Sequence, residues 1–564
     1  MEYLIFVAAM VCLVLLFVVK EAFDARKKEK KFIHRLYEEY GVLPQREYKQ
    51  EQFDGISHYY LKHMDGFCID DITWNDLNMD EIFKSMNYTF SAAGEEYLYY
   101  MLRKPCQEEE ELRHREEIID YFRSNPRERV AFQCIYNRLG RTGKFSIYDY
   151  LDYLDALGER SNLSHYLSIL LVLASAGLLF ANISAGIFGL VGVFIYNNIT
   201  YFKIKNDIDP YLTSFAYIFR LLGGVKELQS HSIPVLLEEI EELKSCSSAM
   251  GRFKIGSSLL MMPSRMNGAG SPLDMLLDFF RMTFHLDLIK FNQMLSQVRK
   301  HISQIDRMLT IVGMVEAMIA VGAYREALKI YTIPKLDEGC ELEAKGLYHP
   351  LIRDPVPNDI NAKRSVLVTG SNASGKSTFL KTVAVNAILA QTIHTCLAES
   401  YQGAFFRICS SMSLKDDVQG GESYYMAEIR ALKRILDLMR EDGAPVLCFV
   451  DEVLRGTNTV ERIAASTQIL LSMSTQRCIC FAATHDIELT HLLENVYDNY
   501  HFSEEIADQD ISFSYKLLQG RASSRNAIRL LKIMGYEEEI VKEAERRAQR
   551  FMETGEWRRL DSVQ

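Results

Sequence analysis

The sequence has no excess of basic charge. Across 564 residues, 64 Lys and Arg face 75 Asp and Glu, giving a formal net charge of −11 and a pI near 5.7. That balance argues against a chain-wide nucleic-acid footprint and leaves only a local basic surface open. Zinc-type cysteine spacing is missing too. The eleven cysteines are scattered and odd in number, a reducing-compartment pattern. Cys478 and Cys480, two apart in an apolar run, read as core thiols. No internal repeat is visible. Asp, Glu, Lys and Arg are absent from 161–202, and the first residues lack both the positive lead and the small-residue cleavage site of a signal peptide.

What is present begins with an apolar run. YLIFVAAMVCLVLLFVV (3–19) is seventeen uncharged residues, at the short limit for a spanning helix. Arg26, Lys27, Lys28, Lys30 and Lys31 follow it and place the next segment on the cytoplasmic side. The expectation is an uncleaved anchor. Within 161–202, two apolar blocks flank Ala181-Asn182 and carry Gly177, Gly186, Gly189 and Gly192. They read as either a buried hairpin or two short spans, and glycine-rich apolar blocks favour spans. Two further crossings, or none, keep the rest of the chain on one side.

VLVTGSNASGKSTFLKTVAV (367–386) reads as a strand, a Gly/Ser loop and a helix. Gly370, Ser371, Asn372, Ala373, Ser374, Gly375, Lys376 and Ser377 satisfy the phosphate-loop spacing, and Thr378 follows. Gly370 and Gly375 let backbone N–H groups curl around a phosphate, and the helix start offers its positive end to the same anion. Lys376 would reach the β- and γ-phosphates of ATP, while the Ser377 hydroxyl would ligate Mg²⁺.

APVLCFVDEVLRGTNTVER supplies a second strand, ending in Asp451 and Glu452. Strand C-terminal ends are where open α/β sheets place ligands. Asp451 would hold the Mg²⁺ shell, and Glu452 would orient and deprotonate the attacking water. A third strand, in CICFAATHDIEL, ends at His485, which could sense the γ-phosphate or position the water.

GSNASGKST, DDVQGGESYYMAEI, VDEVLRGTNT and AATHD stand in the order and spacing of the MutS family of ABC-type ATPases, and this chain resembles that family. YTIPKL (331–336), GLYHPLI (346–352) and PNDI (357–360) resemble its approach to the nucleotide. KLLQGRASSRNAIRLLKIMGY (516–536) is similar to its C-terminal dimerisation element, and TWNDL, SAAGEEYLYYMLRKP and LRHREEIIDYFRSNP to its helical core. The resemblance implies that Ser423 reaches the γ-phosphate bound by the opposite subunit, so that a homodimer completes each site. Two departures stand out. Ala373 replaces the loop's usual Met, and Leu454 replaces a Gly before Arg455-Gly456-Thr457.

The family's mismatch readers carry a Phe-x-Glu wedge in an N-terminal domain. Phe502-Ser503-Glu504 and Phe551-Met552-Glu553 fit the tripeptide but fall in or after the ATPase region. The first 55 residues are too few for a reader, and a nuclease-like extension is not expected after the terminal helix. Ordinary mismatch recognition is therefore disfavoured.

The expected fold is an α/β P-loop ABC-type ATPase domain C-terminal to a mainly α-helical core/lever region, with transmembrane helices. Its parts are an anchor (1–20), a basic juxtamembrane segment (21–55), a helical core (56–160) and a probable transmembrane hairpin (161–202). Lever-like helices (203–330), the ATPase with its dimerisation helices (331–545) and a charged tail (546–564) follow. A Gly/Ser/Met loop is expected over 247–272. Two partner classes stay open: double-stranded DNA, clamped near the membrane, or an unidentified protein or lipid. Transporter activity is disfavoured because polar residues that could line a path are scarce.

Overall fold

The computed structural model describes the chain except residues 1, 143–145, 209–210, 255–278, 372–373, 413–423, 456, 508–509, 523–527, 529–530, 532–533 and 558–564. The contacts divide it into two units. One comprises Met1–Met64, Lys84–Met101 and His114–Ala327; the other comprises Asp65–Phe83, Leu102–Arg113 and Leu328–Gln564.

The first unit is helical among the described residues. Its opening helix, Glu2–Glu38, runs without a break through the apolar run and into the basic segment. Helix Ile302–Ala327 is apolar on nearly every face and is buried accordingly, from Ile305 to Arg325. Two buried charges on it are satisfied. Arg325 makes a bidentate pair with Glu116, at 2.6 and 2.7 Å. The Glu316 carboxylate accepts the N–H groups of Phe90 and Ser91 and the Ser91 hydroxyl, just before helix Ala92–Arg103 begins. That location sets the negative group at a helix N-terminus.

Segment 161–202 forms two helices, Leu163–Ala181 and Ile183–Ile208, that fold back on each other about Asn182. Both are long and apolar enough to cross a membrane, with mean hydropathies of 1.9 and 1.5. Their contact is close. A Cβ on Gly186 would meet the Leu179 backbone nitrogen at 2.7 Å, and one on Gly189 would meet Ser175 Oγ at 3.1 Å. Small residues allow this approach, while Phe180 and Phe188 face outward, 97 % and 79 % exposed. Of the expected 247–272 loop, Ala249 ends helix Leu237–Ala249, Gly251–Lys254 form a 3-10 turn, and 255–272 lie outside the described residues.

The second unit holds two sheets. The larger has strand order β10-β9-β4-β8-β7-β6, built from β4 (Ser365–Thr369), β6 (Arg407–Ser411), β7 (Val446–Asp451), β8 (Cys478–Thr484), β9 (Tyr497–Ala507) and β10 (Asp510–Gln519). All neighbours are parallel except the β9–β10 hairpin. β4, β6 and β8 have every residue buried, which explains the apolar runs 366–368 and 478–483, while β6 buries Arg407 and Ser410 through hydrogen bonds. Cys478 and Cys480 lie in this core as expected. The smaller sheet, β1-β5-β2-β3, uses Lys335–Asp337, Ser400–Ala404, Leu342–Leu347 and Asn358–Ala362.

Two early segments also belong to this unit, whereas the sequence reading kept 56–160 in one block and began the ATPase at 331. Asp76 Oδ2 accepts Ser410 Oγ at 2.7 Å and the Met412 N–H at 2.9 Å, and Thr73 Oγ1 accepts the Ser410 N–H at 3.0 Å. Trp74, Leu77 and Phe83 are buried there. These pairings are non-local, and no local periodicity reports them. At the C-terminal side, helix Glu538–Thr554 runs past the expected boundary at 545.

Candidate nucleotide site

The phosphate loop leaves β4 at Gly370, whose φ is 146°. A Cβ here would lie 2.7 Å from Ser374 Oγ and 3.1 Å from the Phe502 carbonyl, so glycine is required by both conformation and space. Gly375, with φ of 103°, precedes helix Lys376–Thr392. Ser374 closes the loop by donating its N–H and hydroxyl to Ser371 O, at 3.2 and 2.8 Å. Asn372 and Ala373 lie outside the described residues.

Lys376 is buried, and its ammonium donates to the carbonyls of Gly370 (2.9 Å) and Ser371 (2.8 Å). The Ser371 hydroxyl is buried with no hydrogen-bond partner among the described residues. Ser377 follows Lys376 on the helix and lies by the Asp451 carboxylate, whose ionised form it favours. Burial pushes the Asp451 carboxyl above its usual range, against the opposing pull of Ser377. Its Oδ1 is buried and unpartnered among the described residues. A hydroxyl beside an unsatisfied carboxylate oxygen is a hard-oxygen donor set, and it fits Mg²⁺.

The strands bring the other groups to the same edge. Thr369 pairs in register with Thr484, and Asp451 with Ala483, so β4, β7 and β8 end side by side. The residues just beyond them are Gly370, Glu452 and His485. His485 Nε2 lies 2.7 Å from Glu452 Oε1 and 3.2 Å from Lys376 Nζ. One nitrogen thus faces two partners. Protonated, it donates to Glu452; deprotonated, it accepts from Lys376. Arg455 Nε holds the other Glu452 oxygen at 3.0 Å. The turn after His485 is fixed by a bidentate Arg462–Asp486 pair at 2.9 and 2.7 Å.

Beside the loop opens a cavity of about 490 Å³, within the range of small-ligand sites. Gly375, Lys376, Ser377 and Thr378 form one wall, and Tyr348, His349, Phe502 and Tyr515 supply rings. Burial, with Lys381 nearby, pulls His349 down to about 4, which keeps it neutral and able to border an aromatic base. Tyr515 was missed in the sequence. It sits at a register shift in the β9–β10 hairpin with φ of 52°, and its ring lies 3.2 Å from where a Gly375 Cβ would be. Phe502 faces the loop from β9, a buried position unlike that of a base-stacking wedge. Phe551 lies on helix Glu538–Thr554, stacked on Trp557.

Leu454 stands in the turn after β7. Its φ is 57°, the left-handed conformation that favours glycine. Ser423 lies outside the described residues; the helix expected after it is present as Tyr424–Arg440.

A family model for MutS domain V matches residues 366–552, the stretch that holds this site. Over that stretch the chain is similar to MutS proteins. The matched domain is of the ATPase type, and the sequence resemblance to that family stands. DNA mismatch repair protein MutS of Thermus thermophilus is 33 % identical over 223 residues, covering 38 % of this chain and 26 % of the relative. The proteins of the same name from Thermotoga petrophila and Aquifex pyrophilus are each 30 % identical, over 265 and 271 residues. Each match covers 45 % of this chain, and 32 % and 31 % of those relatives. The MutS-family likeness therefore spans a third or less of the length of these relatives.

Proposed function

We propose that this chain is a membrane-anchored MutS-like ATPase that binds and hydrolyses ATP at a dimer interface. The observation that carries the reading is the convergence of Lys376, Asp451, Glu452 and His485 at three adjacent strand ends, beside a cavity lined by aromatic rings. Lys376 would exchange its two carbonyl contacts for the β- and γ-phosphates. The cavity would take the base. Ser377 and Asp451 would hold Mg²⁺, which when bound shields the phosphate charge. Glu452 would orient the attacking water and take its proton, and His485 would keep that carboxylate aimed. Ser423 of a second subunit would close the open side of the γ-phosphate.

The helix Glu2–Glu38 and the apolar hairpin support an anchor in the cell membrane with the ATPase cytoplasmic. The relatives are named for DNA mismatch repair, which supports coupling to double-stranded DNA. The net charge of −11 favours a second reading, an ATP-switched scaffold acting on a protein or lipid partner. Full-length protein in detergent micelles tests both. MgATP turnover is expected; its absence in the assembled dimer would overturn the ATPase. Duplex-DNA affinity that falls steeply with salt supports the DNA-coupled reading. No such binding leaves the scaffold.

A further inference from the structure

We infer that Glu428 is a positioning residue for hydrolysis, its carboxylate seated in the turn after Glu452 and holding that turn in register with His485. The inference rests on the hydrolysis reading above.

The turn leaving β7 contains two non-glycine residues with positive φ, Glu452 at 54° and Leu454 at 57°. Left-handed backbone at such residues persists only where the surroundings over-determine it. Four contacts do so here. The Glu452 N–H donates to Ala483 O at 2.9 Å. Val453 O accepts the Ser466 hydroxyl at 3.1 Å. The Leu454 side chain is buried in the core beneath the sheet, in one cluster with Leu432, Ile435 and Leu470. Last, the Leu454 N–H donates to Glu428 Oε1, and the Arg455 N–H also favours that carboxylate's ionised form.

Glu428 is the one charged side chain among these contacts. It stands on the first turns of helix Tyr424–Arg440, 5 % exposed. No cation pairs with it among the described residues, and its second oxygen has no hydrogen-bond partner among them. Consecutive amides around a left-handed residue form an anion-binding nest, and the carboxylate is the anion in it. Burial and the nearby Glu452 both push Glu428 upward. Arg455 follows Leu454 directly in this turn and grips Glu452 Oε2 with its guanidinium. The turn is thereby fixed at its backbone and at its catalytic side chain. A shift of helix Tyr424–Arg440 would reach Glu452 through two residues.

The test uses full-length protein in detergent, with steady-state turnover, MgATP binding and thermal unfolding measured for Glu428→Ala, Glu428→Gln and Glu428→Asp. Glu428→Ala should lower kcat roughly 10- to 100-fold while KM moves by less than about threefold, the pattern of a lost transition-state arrangement. Glu428→Gln, which keeps an acceptor oxygen, should recover most of kcat. Glu428→Asp keeps the charge, falls short of the amides and should resemble alanine. If alanine prevents folding, the Asp–Gln pair decides: Asp equal to or faster than Gln overturns the inference. Wild-type turnover that Glu452→Gln abolishes and Glu428→Ala leaves intact overturns the Glu428 role alone. Equal turnover by wild type and Glu452→Gln overturns the hydrolysis reading, and this role with it.

Discussion

Lys376 Nζ stands 3.2 Å from His485 Nε2, so the phosphate-loop lysine and the group beside Glu452 are already in contact before any nucleotide enters. Under the proposed function, nucleotide binding would break or share that contact, whereas water activation would use the Glu452 side of the same imidazole. The two steps should therefore separate by mutation. Lys376→Ala is expected to lose ATP binding. Glu452→Gln should keep binding within a few-fold and lose about 100-fold or more of turnover. Equilibrium binding and single-turnover hydrolysis check this, and wild-type turnover in Glu452→Gln would remove Glu452 from its role.

Completion of one site by two subunits predicts complementation. Ser423→Arg and Lys376→Ala proteins should each be inactive, yet mixed dimers should regain up to one working site of two. A mixture shown to exchange subunits and still inactive would return Ser423 to a helix-capping role.

Leu454→Gly tests the turn's balance of terms. Glycine would relieve left-handed strain worth about 1–3 kcal/mol. It would also empty a buried leucine site, a loss of about 2–5 kcal/mol in well-packed cores, and add unfolded-chain entropy. Burial wins. The variant should unfold about 1–3 kcal/mol more easily in denaturant titrations, and a variant as stable as wild type would show that the leucine packs poorly.

Glu316 predicts a pH dependence. Burial pushes its carboxyl from 4.5 up to about 7 despite the Phe90 and Ser91 donors. The folded state therefore binds the proton more tightly than the unfolded state. Its contribution is fully present below about pH 4.5 and is lost as pH rises through about 7, a change of up to about 3 kcal/mol. Melting temperature should fall between pH 5 and 8, and Glu316→Gln should flatten that slope. An unchanged slope would place the titration elsewhere. Gly94→Ala should be damaging at any pH, since its Cβ would lie 2.1 Å from Glu316 Oε2.

The placement of the loop and strand-end residues was legible because it is set locally. Gly370 and Gly375 are spelled as glycine because both hold positive φ, and Asp451 and Glu452 sit where a buried strand ends. Tyr515 and Glu428 were not legible. Tyr515 reaches Gly375 through a register shift in the β9–β10 hairpin, and Glu428 meets the Leu454 amide across 26 positions. In both cases the partner is backbone or a glycine, and neither advertises the contact in its residue type. The hairpin at 161–202 was legible as two helices from composition alone, and its close glycine contacts are what that composition permits.

The pairing of Asp76 with Ser410 joins positions 334 apart. On a ribosome adding roughly 5–20 residues per second, the wait between them is about 15–70 s. Throughout it, Thr73 and Asp76 have been made and their partner strand β6 has not. The second unit is thus started early and finished late. Its first pieces are exposed nascent chain, attractive to chaperones, until β6 emerges to cover them.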